Sequence, residues 1–272
     1  MSHTIQIIAN GGAREMVDAE TRETFLQLVE KLLPGADVHV TAKDEDVCAL
    51  VRDAVRRGAT VVAAGGGDGT VNAVASVLMG TTATLGVIPL GTLNHFAKDV
   101  GIPIEMEAAL ANLRDGTIAS VDVGAVSDRI FINNSGLGLY PDMVFNREQR
   151  QKEGWAKWPS VFVESVRAFR RYRLLRLAVQ VDGRTLERRT PAVFIGNNDY
   201  SLDETIASNR ASLVGGKLCL YIPHPVSRSG LVWFSLRAFF GSPKAGTDFD
   251  KFVATEFVIN SHHETLRVSI DG

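Results

Sequence analysis

Short apolar runs alternate with amphipathic segments over the first part of the chain. Each apolar run has the length and β-branched content of a buried strand, and each longer segment repeats its apolar residues at helical spacing. Strands are predicted at 3–10, 36–42, 60–64 and 84–90, and helices at 14–33, 44–58, 70–79, 94–101 and 104–116. This order predicts βαβ units and therefore a parallel sheet with helices on both faces.

The rhythm changes after about Ile118, where short strands follow one another with turn residues between them. The strands are predicted at 120–126, 129–136, 176–183, 191–198, 216–223, 252–260 and 266–272, with helices at 158–172 and 229–240. Such a pattern is typical of a mostly antiparallel domain. The predicted fold class is therefore α/β, with a parallel-sheet domain at 1–118 and a β-rich, sandwich-like domain at 119–272.

The composition is that of a globular protein without a strong charge bias. The 272 residues are 45% hydrophobic with a formal net charge of −2, which argues against a nucleic-acid partner because such proteins usually carry a basic face. Cys48 and Cys219 lack metal-ligand spacing, so we expect free thiols in a reducing compartment. No signal peptide and no apolar window of about 18 residues is evident. We expect a cytoplasmic protein with at most peripheral membrane contact.

A glycine-rich loop separates the third predicted strand from the next helix. Its residues Gly65, Gly66, Gly67, Asp68 and Gly69 are followed by Thr70. Bare backbone amides and a helix N-terminus together favour an anion such as phosphate, whereas a simple turn would need fewer glycines. Neither the P-loop pattern nor the dinucleotide pattern fits. Because an acid inside the loop would repel a bare phosphate, Asp68 indicates either a metal–phosphate complex or a proton-accepting role.

A second loop follows the fourth predicted strand and again sets a glycine before a helix. It contains Gly91, Thr92 and Asn94. By itself this would be an ordinary capped helix start. Because adjacent parallel strands end at the same edge of a sheet, the two loops together predict a crevice for one nucleotide.

GGGDGTVNAV at 65–74 and PLGTLNHFAKDVGIP at 89–103 closely resemble the catalytic domain of the diacylglycerol kinase family, which includes sphingosine and ceramide kinases and is distantly related to NAD kinases. The resemblance continues more weakly along the chain. It covers Asn10 and Gly11 after the first strand, Thr41 after the second, the segments 121–124 and 131–138, and the pair Gly196-Asn197.

The resemblance implies transfer of the γ-phosphoryl group of ATP, with Mg²⁺, to a lipid alcohol such as diacylglycerol. Asp68 would be catalytic, acting through Mg²⁺ or on the acceptor hydroxyl. It also implies transient contact with a membrane surface, and it leaves a homodimer open. The residues implied for ATP binding are Asn10, Gly11, Thr41, Gly66, Gly67, Asp68, Gly69, Thr70, Asn72, Gly91, Thr92 and Asn94.

Three positions depart from the family pattern. Relatives commonly carry a glutamate base directly after an Asp-Gly pair that corresponds to Asp271-Gly272, where this sequence stops, so we expect a truncated chain. Many relatives have an acid that binds a structural magnesium ion at a position where this chain reads Val214-Gly215-Gly216, which argues against that metal site. His95 replaces a frequent aspartate, and we expect a structural role for it.

Two apolar, aromatic-rich segments are candidates for contact with a lipid acceptor. Segment 155–173 combines two tryptophans with several basic residues, and segment 231–241 carries a single charge. Either could lie at a membrane interface or pack on the β-rich domain. Two other functions stay open, namely a kinase of a soluble alcohol in the manner of NAD kinase and a nucleotide-binding regulatory module without catalysis.

Overall fold

The protein consists of two units of contacting residues. A computed structural model describes residues 4–138, 174–200, 210, 212–224, 249–261 and 266–271. The first unit comprises Met1–Val121, Ser127–Ile132 and Asp271, and the second comprises Asp122–Val126, Asn133–Ile270 and Gly272. Besides its N-terminal part, the first unit thus includes a stretch near the middle of the sequence and one residue near its end, and the predicted boundary at 118/119 stays a prediction.

A four-stranded parallel sheet forms the centre of the first unit. Its strands are β1 (Ile5–Asn10), β2 (Asp37–Thr41), β3 (Val61–Gly66) and β4 (Thr84–Pro89). They lie in the order β2-β1-β3-β4, and every neighbouring pair is parallel. All six residues of β3 are buried, as expected of a central strand covered on both faces. The predicted parallel α/β class is confirmed.

Helices cover both faces of this sheet. They are α1 (Ala19–Leu32), α2 (Val47–Arg56), α3 (Asp68–Leu78), α4 (His95–Asp99) and α5 (Met106–Asp115), and a short 3-10 helix spans Arg14–Met16. On one face, Phe25 of α1 and Leu110 of α5 pack with Ile7 of β1 in one core. On the other, α2 and α3 contact each other and the central strands. Two helical layers therefore hold the strands in place.

The first helix begins later than its apolar pattern predicts. A helix was predicted from residue 14, whereas α1 begins at Ala19 because Asp18 acts as its N-cap. The Asp18 carboxylate accepts a hydrogen bond from the Thr21 amide at 2.8 Å. An acid at this position satisfies an amide that the helix leaves unpaired, so the cap rather than the hydrophobic spacing sets the boundary.

The second unit is built from antiparallel strands. A five-stranded sheet has the order β12-β11-β10-β7-β14, and a three-stranded sheet has the order β13-β8-β9. The strands after β4 are β5 (Gly124–Val126), β6 (Arg129–Phe131), β7 (Asn134–Gly138), β8 (Leu175–Val181), β9 (Arg184–Thr190), β10 (Ala192–Asn197), β11 (Leu218–Pro223), β12 (Phe249–Ala254), β13 (Val258–Ser261) and β14 (Val268–Ile270). Leu177 and Val179 from one sheet share a core with Val193 and Leu220 from the other, which confirms the predicted β-rich class.

One strand of this unit was missed by the sequence pattern. β9 has the sequence RTLERRT, in which arginine and glutamate obscure the apolar alternation. It pairs with β8 through a two-residue turn at Asp182 and Gly183, both of which have positive φ. An Asp-Gly pair is a strong signal for such a hairpin, and it could have revealed β9.

Two other predicted strands are each divided in two. Residues 129–136 form parts of β6 and β7, and residues 252–260 form parts of β12 and β13. The predicted helices at 158–172 and 229–240 lie outside the described residues. Within the part of the chain that the structure describes, no helix is both long enough and apolar enough to cross a membrane.

A charged cluster in the second unit predicts a pH dependence. Asp250 of β12 contacts His224 Nε2 at 2.8 Å and accepts a hydrogen bond from Arg188 Nε at 3.0 Å. Burial raises the pKa of Asp250, but its bonds with His224 and Arg188 outweigh this, so the pKa lies below the ordinary value. A lowered carboxyl pKa stabilises the fold above the unfolded-state pKa, about 3.9, and this stabilisation is lost as the pH falls through the folded-state value.

Asp250→Asn is therefore expected to lower the urea midpoint of unfolding at pH 7, and to differ progressively less from the wild type below about pH 4. Urea titrations across this range measure the effect. Asp128→Asn, at an exposed turn position, is the control and should change little. An equal deficit of Asp250→Asn at neutral and strongly acidic pH would contradict the prediction.

Candidate active site

The carboxyl ends of the four parallel strands meet at one edge of the first sheet. Asn10 ends β1, Thr41 ends β2, Gly66 ends β3, and the loop beginning with Leu90 follows β4. The sheet order brings β1 and β3 together although they are not consecutive strands. In open α/β sheets, ligands bind at such a change in strand order. Most of the predicted nucleotide-binding residues therefore belong to one edge.

A side-chain contact joins the tips of the two central strands. Asn10 Nδ2 donates a hydrogen bond to Thr70 Oγ1 at 3.2 Å. Asn10 Oδ1 accepts one from the Gly12 amide at 2.9 Å, which shapes the turn after β1. Thr70 is buried. This contact holds the β1 tip against the glycine loop, and the predicted ATP contacts of Asn10 and Thr70 stay predictions.

Gly11 allows the β1 and β2 tips to approach closely. Its amide donates to Thr41 Oγ1 at 3.3 Å. A Cβ atom at Gly11 would stand 2.4 Å from the backbone oxygen of Thr41, a distance that real side chains do not adopt. The glycine here is therefore explained by packing between two strand tips, and the predicted contact of Thr41 with the nucleotide stays a prediction.

The glycine loop leads directly into α3, which begins at Asp68 rather than at the predicted Thr70. Gly67 is the N-cap and supplies no side-chain cap. Gly69, in the first turn, is exposed, and a Cβ there would have no neighbour within 4 Å. A helix of 11 residues with an uncapped, accessible first turn presents partial positive charge to this edge. The geometry suits an anionic ligand.

Asn94 organises the second loop. It adopts the left-handed conformation with φ 50° and ψ 47°, which asparagine tolerates better than most residues. Its Oδ1 accepts from the Gly91 amide at 3.1 Å, and its Nδ2 donates to the carbonyls of Gly91 at 2.9 Å and Pro89 at 3.4 Å. The side chain is buried, so its role here is to shape the loop. Thr92, in contrast, is exposed.

The Asp68 carboxylate connects the two loops. Its Oδ1 accepts a hydrogen bond from the Phe96 amide at 2.9 Å, and its Oδ2 accepts one from the His95 amide at 3.1 Å. Asp68 thus caps α4 across the edge of the sheet, a contact that sequence patterns do not reveal because the partners are 27 and 28 residues apart. The His95 side chain is exposed, and the backbone of His95 carries this structural contact.

The two loops also touch through their glycines. A Cβ atom on Gly91 would lie 2.4 Å from the Gly67 Cα and 2.8 Å from Asn94 Oδ1. Only hydrogen at this position permits the observed approach. The bare backbone was predicted as a means of approaching phosphate, and in this structure it also lets the loops pack on each other.

Asn72, one of the predicted ATP-binding residues, bonds to segments that follow the parallel sheet in sequence. Its Nδ2 donates to the Ile130 carbonyl at 3.1 Å and to Asp271 Oδ2 at 2.5 Å. The predicted ligand role of Asn72 stays a prediction, whereas its observed partners belong to two segments distant in sequence. Sequence reasoning had no signal for either contact.

The Asn94 geometry yields a prediction about the second loop. Asn94→Ala is expected to lower the free energy of unfolding by about 1–3 kcal/mol, because three loop hydrogen bonds are lost, and the left-handed conformation adds about 1–2 kcal/mol of strain. Asn94→Gly loses the same bonds without that strain. Urea unfolding should therefore rank the wild type above the glycine variant and the glycine variant above the alanine variant. An alanine variant as stable as the glycine variant would contradict this account.

In the second unit, Asp122 fastens the loop at residues 212–217. Its Oδ2 accepts from the Gly216 amide at 2.6 Å and from Asn198 Nδ2 at 3.0 Å, and its own amide donates to the Leu213 carbonyl at 2.8 Å. The described residues include no group of three or more His, Cys, Asp or Glu side chains that could hold a metal ion. The observed contacts hold this loop in place, and the expectation about the metal site stays a prediction.

The sequence also missed a buried polar cluster near this loop. Arg210 is buried, and it donates hydrogen bonds to the Asn197 carbonyl and to Asn133 Oδ1, both at 3.4 Å. Asn197 Nδ2 donates to the Asp122 carbonyl at 2.7 Å. The asparagines were noted only as family matches, and these contacts explain their placement inside the second unit.

A parallel α/β sheet with a glycine-lined edge, followed by antiparallel sheets, matches a known class of proteins. The family model described as the diacylglycerol kinase catalytic domain matches residues 4–126. This part of the chain is thus similar to the catalytic domain of diacylglycerol kinases.

Individual relatives agree with this assignment. A "Probable lipid kinase YegS-like" protein of Pseudomonas aeruginosa strain UCBPP-PA14 is 40% identical over 118 residues, which cover 43% of this chain and 39% of the relative. A protein of the same name from Klebsiella pneumoniae strain 342 is 40% identical over 133 residues, covering 47% and 43%. The matched region thus spans about two fifths of the length of these curated relatives.

Solved structures extend the likeness in fold to nearly the whole chain. One, described as a diacylglycerol kinase from Bacillus anthracis strain Sterne, is 18% identical with a TM-score of 0.71 and covers 99% of this chain and 90% of its own. Another from that strain is 19% identical with a TM-score of 0.75 and the same coverage. At such identity the comparison establishes the shared fold.

Proposed function

We propose that the protein is an ATP-dependent lipid kinase, which transfers the γ-phosphoryl group of ATP to the hydroxyl of diacylglycerol or a similar lipid alcohol. The observation that carries this proposal is the edge of the first sheet, where the open first turn of α3 lies beside a second glycine loop held by Asp68. The family of residues 4–126 supports the same reaction.

Backbone amides are the natural ligands for the phosphate groups at this edge. The N–H groups of Gly67, Asp68 and Gly69 precede the first internal bonds of α3, which start with Thr70 and Val71 donating to the Gly67 carbonyl. Amide groups with a helix dipole behind them bind phosphate oxygens and help to stabilise charge in the transition state. Thr41 and Thr92 flank this region from the β2 tip and the second loop.

Mg²⁺, when bound with ATP, would neutralise phosphate charge. Within the glycine loop, Asp68 is the one carboxylate, and it is therefore the residue that would face such an ion. By this proposal, Asp68 fixes the gap between the loops, and its carboxylate acts on the ion or on the acceptor hydroxyl.

The function is tested by incubating the purified chain with radiolabelled ATP, magnesium and a panel of lipid alcohols in mixed micelles, followed by thin-layer chromatography. NAD serves as the soluble acceptor in a parallel reaction. We expect label in a lipid phosphate. Label in NAD alone would favour a kinase of a soluble alcohol, and ATP binding without transfer to any acceptor would favour a regulatory nucleotide-binding module.

A further inference from the structure

Asn72, which the sequence suggested as a phosphate ligand, lies at a junction of three chain segments. Its Nδ2 is shared between the Ile130 carbonyl at 3.1 Å and Asp271 Oδ2 at 2.5 Å. The same carboxylate oxygen accepts from the Ile132 amide at 2.8 Å. We call this group of Asn72, Ile130, Ile132 and Asp271 the Asn72 junction.

All four members of the Asn72 junction belong to the first unit. They come from α3, from segment 127–132, and from a position 199 residues beyond Asn72. Hydrogen bonds to an ionised carboxylate are stronger than those between neutral groups. The junction therefore holds two distant stretches of the chain on the helix that begins at the glycine loop.

The amide of Asn72 has a defined orientation in this junction. A carbonyl oxygen and a carboxylate oxygen can only accept, so both require the Nδ2 side of the amide. On the opposite side, the Ser76 hydroxyl lies 3.3 Å from Asn72 Oδ1. Both polar ends of the Asn72 side chain thus have partners, so the side chain is held in one orientation.

The junction lies close to the proposed phosphate site along α3. Asn72 follows Asp68 by four residues, and residues four apart lie on the same face of a helix, one turn from each other. Asp68 in turn caps α4. Ile132 ends one stretch of the first unit and Asp271 belongs to the same unit, and both residues are bonded at this junction.

We propose that Asn72 is a positioning residue, which anchors Asp271 and segment 127–132 beside the first turns of α3, and that it does not bind the ATP phosphates. This inference rests on the proposed kinase function. The junction lies one turn of α3 from Asp68, the residue proposed to act on the ion or on the acceptor hydroxyl. Loss of the junction should then impair transfer more than nucleotide binding.

The test compares four forms of the chain, namely the wild type, Asn72→Asp, Asp271→Asn and the double variant. Asn72→Asp sets a second carboxylate against Asp271, whereas the double variant again pairs an amide with a carboxylate. Gln27→Glu is a matched control, since it places a new acid near Glu23 on an exposed part of α1. Each form is measured for ATP affinity by calorimetry, for kcat and ATP KM, and for its urea midpoint.

For Asn72→Asp we expect kcat to fall roughly 10- to 100-fold, as for a misplaced reacting group, with the ATP dissociation constant and KM within about twofold of wild type. The double variant should recover part of kcat and part of the urea midpoint, although the Ile130 carbonyl still lacks its donor. Gln27→Glu should leave kcat unchanged. A large loss of ATP affinity in Asn72→Asp, or additive losses in the double variant, would overturn the proposal.

Failure of the kinase function is distinguishable from failure of the Asn72 junction. If the wild type transfers phosphate to no acceptor, the proposed function is wrong. ATP affinity and the urea midpoints still decide the junction in that case. The junction is supported if Asn72→Asp binds ATP as tightly as the wild type and the double variant recovers part of the urea midpoint. It is contradicted if Asn72→Asp binds ATP more weakly, or if the losses in urea midpoint of the two single variants add in the double variant.

Discussion

Gly91→Ala is expected to abolish ATP binding and to destabilise the first unit. The added methyl group would stand 2.4 Å from the Gly67 Cα and 3.0 Å from the Gly67 nitrogen. Both atoms belong to backbone, which cannot rotate aside as a flexible side chain can. The loops must therefore separate, which disrupts the Asn94 bonds and the gap that Asp68 sets. Overpacking of this kind costs about 1–3 kcal/mol, and calorimetry with ATP and magnesium measures the loss of binding.

Gly69→Ala, in the first glycine loop, is the matched control. A Cβ atom there meets no heavy atom within 4 Å, and alanine favours a helix over glycine by about 1 kcal/mol. The urea midpoint should thus be unchanged or raised. Weakened ATP binding in this well-folded variant would mean that phosphate approaches the bare backbone at Gly69. A Gly91→Ala chain that binds ATP like the wild type would contradict the packing account.

Asp68→Ala is expected to lower kcat/KM by roughly 100-fold or more. The change removes the contact that fixes the second loop, and it also removes the one carboxylate of the first glycine loop. Both amide bonds, from His95 and Phe96, are lost. Loss of a cap alone costs about 0.5–2 kcal/mol of stability. Steady-state kinetics with ATP and a lipid acceptor, together with urea unfolding, measure the two effects separately.

Asp46→Ala provides the comparison for capping. Asp46 caps α2 by accepting from the Ala49 amide at 3.1 Å, so its removal should reduce stability by a similar amount without affecting turnover. Asp68→Asn separates charge from capping, since its amide oxygen can keep one of the two bonds. If turnover of Asp68→Asn is as low as that of Asp68→Ala, the reaction needs the negative charge of Asp68. If Asp68→Asn recovers part of the turnover, the capping contact accounts for part of the effect. Full activity of Asp68→Ala would refute any role in the reaction.

The first sheet could be predicted from sequence because its strands are continuous apolar runs and its helices have clear amphipathic spacing. The ends of the helices were harder to predict from sequence, since α1 starts at the Asp18 cap and not at the first apolar residue. In the second unit, β9 was missed because it lies at the edge of its sheet and four of its seven residues are charged. Local signals such as the turn at Asp182 and Gly183 were present but short.

The candidate site was predictable as a collection of strand ends, since parallel strands bring their carboxyl ends together. Its side-chain bonds were not predictable. Asp68 bonds to residues 27 and 28 positions away, and Asn72 bonds to one 199 positions away, and such pairings depend on the folded path of the chain. Residue type alone suggested ligands where the structure has Asn94 shaping a loop and Asn72 joining segments.

Under the proposed function, the strand order β2-β1-β3-β4 makes nucleotide affinity depend on the integrity of the whole sheet. If every strand contributes its tip to the ATP site, no subset of strands assembles the complete site, and a partly unfolded sheet would bind ATP poorly. A ligand held only by the native form, at 100 times its dissociation constant, stabilises a protein by about 2.7 kcal/mol. Thermal melting with and without nucleotide would therefore serve as a folding reporter, sensitive to damage in any of the four strands.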